Sequence, residues 1–165
     1  MSNIIILTNH NTYPYHKGIA TMISSALSNT DYTVQTLDIN STQYPHQCLA
    51  KLNSMEPDIL ITLDLAGFHF RTQSGENALN MLYTKNLNLV WGNRPEYEDY
   101  LNKKVSLSML FYDITGKDYH LSKYYPNVLY YKAHPDFLIT QECSSATDTS
   151  HFLNIWKDFL LDILS

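Results

Sequence analysis

The hydrophobic positions of this 165-residue chain fall into six short runs, most of them followed by a polar segment long enough for a helix. That alternation is typical of strands and helices that build a parallel α/β sheet. The runs predict strands at residues 3–8, 33–38, 58–64, 87–91, 105–112 and 127–132. We therefore expect a doubly wound, mostly parallel sheet of five or six strands with helices on both faces, a Rossmann-like three-layer sandwich.

Helical periodicity between the strands is clearest at residues 17–27, where apolar side chains recur every three or four positions. Weaker patterns predict further helices at residues 44–53, 76–83, 96–101 and 119–124.

The carboxyl-terminal part of the chain predicts a separate element of the same domain. Residues 1–140 carry the Rossmann-like pattern, and residues 141–149 form a polar, Ser/Thr-rich connection. Residues 150–165 predict an amphipathic helix, whose apolar face contains Phe152, Trp156, Phe159, Leu160 and Ile163. We expect this face to pack on the sheet, and the alternative, a dimer or partner surface, stays open.

Composition narrows the class of protein. A hydrophobic content of 44% with 16% charged residues is typical of a globular protein, and no apolar run approaches the length of a membrane span. The start Met-Ser-Asn lacks a basic leader region, which predicts a cytoplasmic location. A net charge of −5 without any Lys/Arg run argues against nucleic-acid binding. Cys48 and Cys143 lack metal-ligand spacing, so we expect free thiols and no metal.

Polar residues follow nearly every predicted strand. In open parallel sheets, the carboxyl ends of the strands form the edge at which ligands bind. The sequence therefore predicts a ligand-binding cleft there, although caps and turns also use such residues. The residues predicted to bind a ligand are Asn9, His10, Asn11, Lys17, Gly18, Asp64, Arg71, Asn93 and Arg94.

Two features of this edge predict an acidic ligand. The first loop leads into a helix whose free N–H groups suit an anion, and Lys17 adds positive charge. Arg71 and Arg94 are the only arginines, and each follows a predicted strand, where it can bind a carboxylate or phosphate or form a surface ion pair.

Catalytic residues stay unknown from the sequence. A titrating pair made by Asp64 with His10 or His69 is the only candidate for acid–base chemistry. We expect replacement of Asp64 to weaken ligand binding at little cost in stability. No cofactor is expected, because the dinucleotide and phosphate-loop glycine patterns are absent.

The chain resembles the amino-terminal Rossmann-like half of GT-B glycosyltransferases over roughly residues 3–135. The resemblance rests on the apolar run of residues 4–7, a loop ending at Gly18, the helix after it, and the phrase Pro57-Asp58-Ile59. It implies that the chain recognises a carbohydrate or glycoconjugate acceptor. The second Rossmann half, which holds the sugar nucleotide in that family, has no counterpart in these residues, so another domain or a second copy of the chain would have to supply it.

Two alternatives remain open. Residues 57–64 also resemble the third strand of response-regulator receiver domains, although the paired acids and the Lys-Pro pattern of that family are missing. The other alternative is a non-enzymatic module that binds an anionic small molecule or a protein.

Overall fold

The computed structural model describes residues 1–75, 77–82, 84–91 and 149–165, together with the backbone of Met109–Asp113 and Val128–Leu129. Six strands are present: β1 (Ser2–Thr8), β2 (Tyr32–Asp38), β3 (Ile59–Leu63), β4 (Lys85–Val90), β5 (Met109–Asp113) and β6 (Val128–Leu129). The α-helices of the described residues are α1 (His16–Ala26), α2 (Pro45–Ser54) and α3 (Thr149–Leu164).

The strands form one sheet in the order β2-β1-β3-β4-β5-β6, and each neighbouring pair is parallel. Side chains are described for the first four of these neighbours, and backbone pairing adds β5 and β6. The predicted parallel α/β architecture is confirmed. The chain moves from β1 to β2 on one side and to β3 on the other, so the strand order reverses between β1 and β3, the place where open α/β sheets form a ligand crevice.

Alternation along β1 explains the layers on the two faces of the sheet. Ile4 and Ile6 point to one face, where they join a core with α1 and α3. Ile5 and Leu7 point to the other, where the core includes Leu52 of α2 and the segment after β3. Helices therefore cover both faces, as expected for a sheet whose strands are apolar on both sides.

Cys48 lies in the second core and is free and buried. Burial of the thiol raises its pKa, with smaller contributions from nearby groups. The thiolate is the reactive form of cysteine, so this residue has a packing role.

Helix α3 packs on the same core as α1. Trp156 is fully buried, and its ring lies 6.3 Å from that of Trp91 and 5.9 Å from that of Phe159. At the far end, the Lys85 ammonium group donates to the carbonyl oxygens of Ile163 and Leu164, each at 3.2 Å. These bonds satisfy carbonyls that a helix end leaves without partners. In the described ranges, neither α3 nor a shorter helix is long and apolar enough to cross a membrane.

The prediction of a helix over residues 76–83 is wrong in type and length. The structure has a four-residue 3₁₀ helix, Ala78–Met81, after the side chain of Asn77 accepts a hydrogen bond from the Leu79 N–H at 3.0 Å. Leu82 returns to an extended conformation, which ends the helix after one turn. The helices predicted at 96–101 and 119–124 lie outside the described residues, as do residues 105–108 of the fifth predicted strand.

The packing of α3 predicts that Trp156→Ala lowers the free energy of unfolding by about 3–5 kcal/mol, because the change leaves a large cavity in the core. The matched control is Leu161→Ala on the same helix, where 36% of the side chain is exposed. We expect the control to cost less than about 1 kcal/mol. Urea unfolding of both variants checks this, and similar losses for the two would contradict the packing.

Candidate functional site at the carboxyl edge of the sheet

The carboxylate of Asp64, directly after β3, joins three segments of the carboxyl edge. Asp64 is only 2% exposed. One carboxylate oxygen accepts hydrogen bonds from the Tyr15 hydroxyl and from Nε2 of His16, the latter at 2.9 Å. The other oxygen accepts from the backbone N–H of Trp91 at 3.0 Å. The loop after β1 and the ends of β3 and β4 therefore meet at one buried charge.

His16 is fully buried, and its hydrogen bonds define its tautomer. The backbone N–H of Asn9 donates to Nδ1 at 2.9 Å, so Nδ1 carries no hydrogen. Nε2 therefore carries the hydrogen and donates to Asp64. The ring also packs against Tyr13 and Tyr15, with ring centres 5.0 Å away in each case. Both ring nitrogens are engaged within the protein, and His16 acts by fixing the loop after β1.

The backbone turns sharply where Asp64 leaves the sheet. Asp64 has a φ of 49° and Leu65 a φ of 58°, both left-handed, and Gly67 follows with a φ of 87°. Two consecutive non-glycine residues in this region are uncommon and carry strain. A Cβ at Gly67 would lie 3.3 Å from the Leu7 side chain, a second reason for glycine there. The hydrogen bonds of Asp64 hold this turn.

A second carboxylate, Asp38 at the end of β2, ties the first two loops together. It accepts from the Thr8 hydroxyl at 2.9 Å and from the backbone N–H groups of His10 and Asn40, each at 2.8 Å. Burial alone would raise the pKa of Asp38, but these hydrogen bonds outweigh it and lower the pKa. Nδ1 of His10 lies 3.4 Å from the same carboxylate. His10 thus lies beside Asp38, whereas the imidazole on Asp64 is His16.

The outer surface of these two loops is polar and uncharged. Residues 9–16 and 39–47 contain no Lys, Arg, Asp or Glu. The side-chain oxygen of Asn9 accepts from the side-chain amide of Asn40 at 3.0 Å, which joins the loops. Tyr44 is 49% exposed, and its ring stacks on that of His46 with centres 5.6 Å apart. We call this surface the neutral rim, made of Asn9, His10, Asn11, Asn40, Gln43, Tyr44 and His46.

The loop after β3 holds two further predicted site residues. Nη1 of Arg71 donates to the carbonyl oxygens of Phe68 and Phe70, the latter at 3.2 Å, so part of the hydrogen-bonding capacity of this guanidinium is used within its own loop. His69 lies at the surface with its ring edge on Phe70. Partial desolvation, and then the charge of Arg71, lower the pKa of His69.

Four predicted site residues remain: two lie on the surface of α1, and two lie outside the described residues. Lys17 and Gly18 are exposed at the start of α1, and open space surrounds the position of a Cβ at Gly18. Asn93 and Arg94 lie outside the described residues. Among the residues the structure describes, no group of three His, Cys, Asp or Glu side chains could hold a metal ion.

The sequence analysis placed the loop of residues 9–18 at this edge but assigned no role to Tyr15 and His16 within it, and it did not single out Asn40 or Tyr44. The uncharged composition of residues 39–47 was a signal for the last two, although residues 18–30 are uncharged as well. No signal marked His16, since nothing in a sequence tells which histidine reaches a buried aspartate.

Comparisons with protein-family models, with curated proteins and with solved structures found no significant match to this chain. The site is therefore interpreted from its own geometry.

The burial of Asp64 reverses the expectation that its replacement costs little stability. In Asp64→Asn, an amide NH₂ must face either Trp91 N–H or the donors of Tyr15 and His16. We expect a loss of about 2–3 kcal/mol in the free energy of unfolding, the cost of leaving a buried donor without its acceptor. Asp158→Asn, at an exposed position of α3, is the control and should change it by no more than about 0.5 kcal/mol. Chemical denaturation measures both, and a loss below about 1 kcal/mol for Asp64→Asn would contradict a structural role.

The lowered pKa of Asp38 predicts a pH-dependent contribution to stability. A carboxylate with a depressed folded-state pKa stabilises the fold fully above its unfolded-state value and loses that contribution as the pH falls through the folded value. The difference in unfolding free energy between wild type and Asp38→Asn should therefore be largest near pH 6 and shrink below the ordinary Asp value of 3.8. Denaturation curves at pH 6, 4 and 3 test this, and a difference that grows on acidification would refute it.

Proposed function

We propose that the neutral rim binds a carbohydrate, or the glycan part of a glycoconjugate, as the acceptor half of a GT-B glycosyltransferase does. The observation that carries the proposal is the composition of the two loops after β1 and β2. They present amides, hydroxyls, imidazoles and an exposed aromatic ring, and none of their residues between 9 and 16 or between 39 and 47 is an acid, a lysine or an arginine.

The chemistry of sugar hydroxyls supports this ligand class. Each hydroxyl both donates and accepts hydrogen bonds, and amide side chains such as Asn11 and Gln43 offer both functions without charge. The exposed Tyr44 ring, backed by His46, provides a flat apolar surface on which the C–H face of a sugar ring can pack. A surface designed for phosphate would be expected to carry cations in the same loops.

The position of one of the two rim loops also supports the proposal. The loop after β1 runs beside the point at which the strand order reverses, the usual ligand crevice of open α/β sheets. Asn9 is held by His16 below and by Asn40 beside it. A loop fixed in this way loses little conformational freedom when a ligand binds, so weak hydrogen bonds to sugar hydroxyls contribute more of their energy to affinity.

The proposal assigns recognition to the chain and no chemical step. Asp64 and His16 are buried and bonded to each other, so they do not reach a bound sugar in this conformation. Glycosyl transfer would need a sugar-nucleotide site on a second Rossmann domain, in line with the GT-B resemblance.

Binding to a glycan array and then titration calorimetry test the proposal. The probes are neutral mono- and disaccharides of glucose, galactose, mannose and N-acetylglucosamine. We expect saturable binding of at least one neutral sugar, weakened about tenfold by Tyr44→Ala and largely retained by Tyr44→Phe, because the aromatic face makes the contact.

Lys51→Ala, an exposed change on α2, is the matched control and should bind as wild type does. Failure of every neutral sugar to bind, or equal affinities for wild type and Tyr44→Ala, would contradict the proposal.

A further inference from the structure

A groove of about 340 Å³ continues from the neutral rim along helix α1. Its lining comes from one face of that helix, from Thr36 of the edge strand β2 and from His10 of the rim. Its polar lining consists of His10, Lys17, Thr21, Ser24, Ser25 and Thr36. The volume falls at the lower end of the range for small-molecule sites, which matches a single sugar unit with one substituent.

The groove differs from the rim in its charge. Of the described residues that line it, Lys17 is the one cation and none is acidic. Among the described residues, the carboxylates of Asp38 and Asp64 lie beside His10 and His16, and no salt bridge involves Lys17. An ammonium group without a carboxylate neighbour in a concave surface favours an anionic group there.

The hydroxyls along the groove are available for hydrogen bonds. Thr21 lines the groove and donates its hydroxyl hydrogen to the Lys17 carbonyl at 2.9 Å. The oxygen of this hydroxyl remains able to accept a hydrogen bond. Within the described part of the chain, the hydroxyls of Ser24, Ser25 and Thr36 make no hydrogen bond. Free hydroxyls beside one cation suit a ligand that has both hydroxyls and a single negative charge.

A further observation concerns the imidazole of His10, which lines the groove. Its Nε2 is buried and has no hydrogen-bond partner among the described residues. A buried polar atom without a partner is costly and calls for a water or ligand group that satisfies it. His10 belongs both to the neutral rim and to the lining of the groove, so it connects the two surfaces.

We propose that the α1 groove is an anion-selective subsite of the carbohydrate site, and that it takes a sugar unit carrying one phosphate or carboxylate group, with Lys17 on the anion and the Ser/Thr hydroxyls on the sugar. This inference rests on the proposed carbohydrate function and narrows it from glycans in general to acidic glycans or sugar phosphates. It also places the anion at α1 and β2, away from the arginine at residue 71.

Two matched series of ligands test the subsite by titration calorimetry. The first is glucose, glucose 6-phosphate and glucuronate, and the second is galactose, galactose 6-phosphate and galacturonate. Inorganic phosphate alone is the fourth probe. For wild type we expect at least one anionic sugar to bind about tenfold more tightly than its neutral parent, as a charge-assisted hydrogen bond provides, and more tightly than inorganic phosphate. The preference should fall as salt is raised, because Lys17 is exposed.

Lys17→Gln should bring the anionic sugars to the affinity of their neutral parents, and Lys51→Gln on α2 should leave the preference unchanged. If neutral sugars bind and their anionic derivatives bind no more tightly, the subsite is refuted while the carbohydrate function stands. If neither the array nor these series gives any binding, both fail. If inorganic phosphate binds as tightly as the sugar phosphates, the groove is a plain anion site and the inference is wrong.

Discussion

The buried carboxylate of Asp64 is the interaction on which the carboxyl edge depends. A charge that is 2% exposed is stable only when hydrogen bonds replace the water it has lost, and Tyr15, His16 and Trp91 provide them. These donors come from the loop after β1 and from the end of β4. Satisfying one charge thus fixes three segments at once, and it also holds the strained left-handed turn after β3.

In this arrangement, the residues that hold the loops differ from those proposed to contact a ligand. Asp64 at the end of β3 is buried, and Asp38 at the end of β2 accepts from the Thr8 hydroxyl and two backbone N–H groups, so both acids hold the loops. The outward surface is the neutral rim, and the first cation beside it is Lys17 at the start of the α1 groove. A ligand with hydroxyls along its length and one negative charge at one end fits this distribution.

The sequence predicted β1 to β4, α1 and α2 within one or two residues, because buried parallel strands and an amphipathic helix leave strong periodic patterns. The prediction of an α-helix at 76–83 was wrong because Asn77 starts a one-turn helix, which apolar periodicity cannot distinguish from a longer one. For the site, the hydrophobic pattern correctly predicted that Asp64 lies at the carboxyl edge, but it did not predict that the Asp64 side chain points inward. That orientation depends on a left-handed backbone and on His16, which is 48 positions away in the chain, and local patterns contain neither.

The most direct test of sugar binding at the neutral rim is to map the residues whose ¹H–¹⁵N signals shift when a sugar is added. The probes are the neutral and 6-phosphorylated forms of glucose and galactose. A competing surface exists at the opposite edge of the sheet, a groove of about 610 Å³ lined by Met1, Asp31, Tyr32 and Leu161 among others. If the sugar binds at the neutral rim, shifts will concentrate in residues 9–12 and 39–46, and will extend to Lys17 and Thr21 only with the phosphorylated forms. Shifts centred on the opposite groove, with the rim unchanged, would contradict it.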